Sequence, residues 1–130
     1  MGLLEAHDLE VLTSKTLAHV ATIMPDGSPH VAPVWVDAED GLVLINSPEG
    51  RVRLRNLRRD PRVALSVVAE GDLYDNIAVR GRAVEITHDG ADAHIDKLAK
   101  KYVGRERFGR YEPQRVLVKI APERIARYRD

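Results

Sequence analysis

The sequence has no cysteine among its 130 residues. That excludes disulfides, thiolate metal centres and cysteine nucleophiles, and it agrees with a reducing compartment. Aromatic residues are scarce, with one Phe, one Trp and four Tyr. Because single-stranded nucleic acids are held on aromatic stacking platforms within a basic groove, nucleic acid is not an expected partner. Neither sign of charge is in excess, 20 Lys and Arg standing against 20 Asp and Glu, which removes a general attraction to polyanions. No apolar run approaches the roughly 20 residues of a bilayer span, and "MGLLEAHDLE" carries acids where a secretory signal would carry bases. The expected location is the cytoplasm, with no membrane partner.

Familiar catalytic signatures are also missing. The five histidines, His7, His19, His30, His88 and His94, form no H-E-x-x-H or similar close pair, so no metal is expected. His19 and His30 lie on one hairpin and are expected to face each other or to be structural. There is no G-x-S-x-G and no recognisable nucleophile with its base, so no catalytic side chain is assigned. An enzyme of this composition would rely on a bound cofactor, the protein supplying orientation and electrostatics.

What is present reads mainly as strands in a single domain, residues 1–130. A short amphipathic helix spans Glu5 to Leu12. "LAHVATIM" (Leu17 to Met24), the turn "PDGS" and "PHVAPVWV" (Pro29 to Val36) make a hairpin. "LVLIN" (Leu42 to Asn46) adds a third strand. Pro33 cannot donate to a ladder and so marks an edge or bulge near a site. "VALSVVA" (Val63 to Ala69) and "NIAVRGRAVEIT" (Asn76 to Thr87) follow, then a helix between Asp92 and Tyr102 with Asp89 as its N-cap. "RVLVKI" and "RIARY" form a last strand broken by Pro122. Six antiparallel strands in so short a chain must close on themselves to bury one face. The expected fold is mainly β (α+β), a six-stranded antiparallel barrel with Greek-key connections and a few short helices.

The densest feature is "NSPEGRVRLRNLRRDPR" (Asn46 to Arg62), which gathers six arginines into a neutral chain. Ser47, Pro48 and Glu49 read as a helix start with Ser47 as N-cap, and Pro61 ends the helix near Arg59. On a helical wheel Arg51, Arg55, Arg58 and Arg59 share one face, while Arg53 borders the packed side near Leu57. A helix N-terminus attracts anions, and guanidinium groups bind phosphate bidentately. Ser47, Gly50, Arg51 and Arg53 are therefore expected to form a phosphate site at a strand end. Arg58 and Arg59 read as a solvated face or, for a cofactor with an acidic tail, as a long-range attractor for that tail. Trp35, two residues after Pro33, is either core or the wall of a pocket for a planar ligand.

In order, "LAHVATIMPDGSPHVAPVWV", "GLVLINSPEGRVRLRNLRRDPRVALSV" and "AVRGRAVEI" resemble the flavin and deazaflavin split-barrel proteins, the pyridoxamine-phosphate-oxidase-like family. The likeness is greatest to the actinobacterial branch that uses the deazaflavin coenzyme F420. The resemblance implies a split barrel that pairs as a homodimer with cofactor at the subunit interface. It implies that Arg51 and Arg53 hold the cofactor phosphate, helped by Arg55 or Asn56, with Asn46 and Ser47 beside the ribityl chain. The ring would lie along Pro33, Val34 and Trp35, and Tyr74, Asp75, Asn76 and Ile77 of a second subunit would close the site. The implied activity is hydride transfer between reduced F420 and a small unsaturated molecule such as an enone, a quinone or biliverdin. The alternatives are an FMN-dependent oxidoreductase, or a non-catalytic carrier of F420, FMN or haem. "IAPERIARYRD" matches the substrate-phosphate residues of pyridoxamine phosphate oxidases only loosely, so vitamin B6 oxidation is not expected.

Overall fold

Alternating apolar positions give most strands one face to bury, and the chain closes to bury these faces together. A computed structural model describes residues 3–129. In chain order the elements are α1 (Ala6–Thr13), β1 (Leu17–Ile23), β2 (Pro29–Glu39), β3 (Leu42–Pro48), α2 (Val52–Arg59), β4 (Arg62–Val68), β5 (Asn76–Thr87), α3 (Ala91–Val103) and β6 (Arg115–Tyr128). All six strands pair antiparallel in the closed order β1-β2-β3-β6-β5-β4. Val20, Val36, Ile45, Val67, Ile77, Val79 and Ile120 point inward and form one cluster with Val11 and Leu12 of α1 and Leu54 and Leu57 of α2. Leu54 is fully buried and Leu57 is 2% exposed, each contributing about 1.5 to 3 kcal/mol. Their burial decides which way α2 turns its arginines.

One departure from a uniform barrel positions the site. β1 and β2 pair along the whole of β1, from Leu17 opposite Trp35 to Ile23 opposite Pro29. β2 and β3 pair only from Val36 opposite Ile45 to Glu39 opposite Leu42. Beyond Val36 and Ile45 the two strands part, and Pro33 sits on a stretch of β2 bonded on one side only. Past the fork β3 stays bonded to β6, with Asn46 opposite Leu117, Ser47 opposite Val116 and Pro48 opposite Arg115.

That pairing corrects the expected helix start. Ser47 is fully buried within β3 and caps nothing. Pro48 ends the strand, Gly50 turns the chain at a φ of 95°, and Arg51 is the N-cap of α2. The β3–β6 ladder overrides a cap signal that was sound locally. Other boundaries also move. Gly90 rather than Asp89 is the N-cap of α3. β6 runs unbroken through Pro122, with the register shift taken up opposite it between Arg80 and Gly81. His19 and His30 do not face each other, since His19 lies opposite Pro33 and His30 opposite Thr22.

Candidate functional site

Where β2 and β3 part, a cleft of about 320 Å³ opens, within the size range of cofactor sites. Leu17, Pro33, Val34 and Trp35 line one wall. Asn46, Pro48, Arg51, Arg53 and Arg115 line the other, and Ile95 and Phe108 close the end. The apolar wall is rigid. The Trp35 indole stacks on Tyr102, with centroids 4.9 Å apart and planes 3° from parallel, and it meets Phe108 edge-on at 6.1 Å. Tyr102 is held in turn, its hydroxyl donating to Thr16 O at 2.5 Å and accepting from the Val36 N–H at 3.0 Å. Burial raises its pKa, so it remains a neutral phenol.

The opposite wall is cationic, with no carboxylate in direct contact among the described residues. Among the described residues Arg51, Arg53 and Arg115 make no ion pair with a carboxylate. Arg53 Nε is buried with no hydrogen-bond partner. Burial and then the charge of Arg51 pull the Arg53 pKa down, while burial followed by Arg53 and Arg51 does the same for Arg115. Cations crowded against each other away from water are costly unless an anion joins them. Arg115, 8% exposed, lies over the Phe108 ring at 4.9 Å and donates through Nε to Asn46 Oδ1 at 2.9 Å. The Phe108 segment is tied to α3, since Asp96 Oδ1 accepts from the Phe108 N–H at 2.9 Å and from the Tyr111 hydroxyl at 2.6 Å.

Of the residues named from sequence, the fold brings Pro33, Val34, Trp35, Asn46, Arg51 and Arg53 together at this cleft. Others lie elsewhere within the chain. Arg55 turns back to donate to Gly50 O at 2.7 Å, so both stabilise the exposed turn before α2. Asn56 is 1% exposed and faces the barrel, donating to Thr22 Oγ1 at 3.0 Å. Arg59 donates to Asn56 Oδ1 at 2.9 Å and also to Ile23 O, so it clasps α2 to β1 rather than forming a free surface charge. Arg58 is likewise engaged, with Glu49 at 2.8 and 2.9 Å. Tyr74 is exposed at a loop tip, Asn76 opens β5 opposite Val68 and Tyr128, and Ile77 is fully buried in the core. Sequence reasoning missed Arg115. Only the strand register reveals it, because β6 begins 67 residues after Pro48 in sequence, counting from 48 to 115, yet directly opposite it.

The fold has known counterparts. A family model described as pyridoxamine 5'-phosphate oxidase matches residues 4–128, and the chain belongs to that family. At family level this makes it a flavin-type oxidoreductase-fold protein. Among solved structures it is similar to an F420 reductase at 27% identity and a TM-score of 0.81, the match covering 89% of this chain and 93% of the other. It shares its fold with a conserved hypothetical protein of Mycobacterium tuberculosis at 24% identity and a TM-score of 0.74, covering 97% and 84% of the two chains. A FAD-binding protein of Mesorhizobium loti has the same fold at 23% identity and a TM-score of 0.65, covering 94% and 92%.

Proposed function

We propose that this protein is an oxidoreductase that uses reduced coenzyme F420 to reduce a small unsaturated substrate such as an enone, a quinone or biliverdin. The observation that carries the reading is the meeting of three guanidinium groups without carboxylate partners, Arg51, Arg53 and Arg115, beside the immobilised indole of Trp35. Their chemistry fits a phosphate ester carrying a planar ring. The likeness to an F420 reductase supports the deazaflavin over FMN, whose phosphate suits the same anchor.

In this role the bound coenzyme supplies hydride chemistry. Arg51, Arg53 and Arg115 hold its phosphate, and Arg53 Nε gains the partner that the described residues do not offer. Pro33, Val34 and Trp35 lay out an apolar floor that excludes water on one side. Asn46 holds Arg115 in place.

A second copy of the chain would cover the open side of the cleft. Leu17 is 46% exposed and Val31 is 64% exposed. They share the outer face of the sheet with small residues, Ala21 lying between Val31 and Ala64 in register and Ser66 lying opposite Ala78. Such a face suits a homodimer, and Tyr74 at its exposed loop tip would reach the partner's cleft. Titration of the purified protein with F420 and with FMN, then mixing with reduced coenzyme and each substrate class, tests the proposal. Tight F420 binding with accelerated reoxidation supports it. Binding of FMN alone overturns the coenzyme, and binding without turnover leaves a carrier.

A further inference from the structure

A bonded chain runs from the cleft into the protein. Arg115 Nε donates to Asn46 Oδ1 at 2.9 Å, and Asn46 Nδ2 donates to Ala91 O at 2.8 Å. The reverse amide orientation would set nitrogen against an N–H and oxygen against a carbonyl oxygen, so these two contacts fix the amide with its NH₂ toward α3. The same Nδ2 stands 3.3 Å from His94 Nδ1. A donor facing it makes Nδ1 the unprotonated, accepting nitrogen. The ring proton then sits on Nε2, which is 3.4 Å from Asp37 Oδ2, near enough to feel its charge though neither atom makes a hydrogen bond. Asp37, His94, Asn46 and Arg115 are all at most 8% exposed.

Both ends of this chain are constrained. Burial alone would raise the Asp37 pKa, but His94, Lys97 and the backbone N–H of Ala38 hold it well below the usual carboxylate range. Asp37 therefore stays an anion and favours the proton on the near nitrogen of His94. At the other end burial, then the charges of Arg53 and Arg51, push the Arg115 pKa down, with Asp92 acting against them. The Arg115 Nε bond to Asn46 and the Phe108 ring beneath it oppose that push and leave the terminal nitrogens for a ligand.

We propose that His94, accepting through Nδ1, is a positioning residue that aims the Arg115 guanidinium at an anion in the cleft by fixing the Asn46 amide. This role rests on the phosphate reading of the cleft, yet it leaves marks in the ligand-free protein. Long-range proton–nitrogen correlation of the labelled protein at neutral pH is expected to show His94 Nδ1 unprotonated; a proton on Nδ1 overturns the role. The Arg115 Nε–H signal is expected to exchange slowly with water in the wild type and in His94→Asn, which offers an oxygen near the Nδ1 position. It is expected to exchange fast in His94→Leu, and slow exchange there also overturns it. Binding of F420, FMN and inorganic pyrophosphate should weaken roughly fivefold in His94→Leu, the scale of one neutral hydrogen bond, and stay near wild type in His94→Asn. Equal loss in both variants would mean that His94 only packs. If the wild type binds none of the three probes, the phosphate reading fails while the exchange result still decides the tie between His94 and Arg115. Should His94→Leu not fold, the tautomer of the wild type decides alone.

Discussion

Arg115 is the register partner of Pro48 at the end of the β3–β6 ladder. That pairing carries a cation from the far end of the sequence to the mouth of the segment holding Arg51 and Arg53. Asn46, two positions before Pro48, then catches Arg115 Nε at 2.9 Å. The ladder thus does two things: it sets the floor of the barrel beneath the cleft, and it completes a cationic wall that the α2 segment alone supplies only in part.

Arg53→Ala and Arg115→Ala should each weaken F420 binding by about 1.5 to 3 kcal/mol, the range for a hydrogen bond to a charged group. Arg59→Ala should leave affinity near wild type and lower the melting temperature, because Arg59 bonds Ile23 O and Asn56 Oδ1 rather than the cleft. Fluorescence titration and thermal melts on the three variants separate these effects. An affinity loss at Arg59 equal to that at Arg53 would point to a diffuse basic surface.

Tyr102→Phe removes one hydroxyl and strands two backbone groups, the Val36 N–H and the Thr16 carbonyl. A loss of about 1 to 3 kcal/mol in stability is expected, the cost of leaving buried polar groups unsatisfied. Because Tyr102 supports the only tryptophan through a stacked contact, the emission of Trp35 should broaden in the folded variant. Urea unfolding followed by tryptophan fluorescence reads both. An unchanged spectrum would mean that the indole is held by Phe108 alone.

Strand identity was legible in the sequence because period-two patterns and turn residues are local signals. "LAHVATIMPDGSPHVAPVWV" shows both, and it forms the β1–β2 hairpin. Pro33 was legible as an edge for the same reason. Ser47 and Pro48 were misread as a helix start because the signal that overrules them, pairing with Val116 and Arg115, is non-local. The candidate site divides along that line. Arg51, Arg53 and Trp35 stand in segments with their own local signatures, whereas Arg115 and His94 become visible only once β6 and α3 are laid beside β3. Arg55 and Asn56 look equivalent to Arg53 in composition, and the burial of Leu54 and Leu57 is what turns them elsewhere.

Acid should unfold the protein through two buried carboxylates. Asp8 is fully buried. Burial would raise its pKa, but bonds from Arg127 and the Glu5 N–H, with the charges of Arg127 and Arg129, bring it below the usual carboxylate range. Asp37 is lowered in the same sense. With folded pKa values below unfolded ones, the folded state binds fewer protons, so the stabilisation is complete above about pH 4 and is lost as pH falls through the folded values. Asp8→Asn and Asp37→Asn should be less stable at neutral pH and show a flatter decline on acidification. Urea midpoints between about pH 7 and about pH 2 test the slope, and a wild-type decline centred near neutrality would assign it to histidines instead.

Gly81→Ala should damage the barrel without damaging the cleft. A Cβ at Gly81 would lie 2.1 Å from Ala121 O, 2.9 Å from Ala121 C and 3.1 Å from Pro122 Cα. All three are backbone atoms, so no side chain can swing aside, and β5 must separate from β6 at the register shift between Arg80 and Gly81. Overpacking of this kind costs about 2 to 3 kcal/mol. Arg115 is paired with β3, and the β5–β6 pairs nearest to it, Thr87 with Leu117 and Ile86 with Val118, lie at the other end of β5 from the Asn76 terminus, several residues past Gly81. The folded fraction of Gly81→Ala should therefore bind F420 close to wild-type affinity while melting at lower temperature. A variant as stable as wild type would mean that the strands already stand farther apart at Gly81 than 2.1 Å allows.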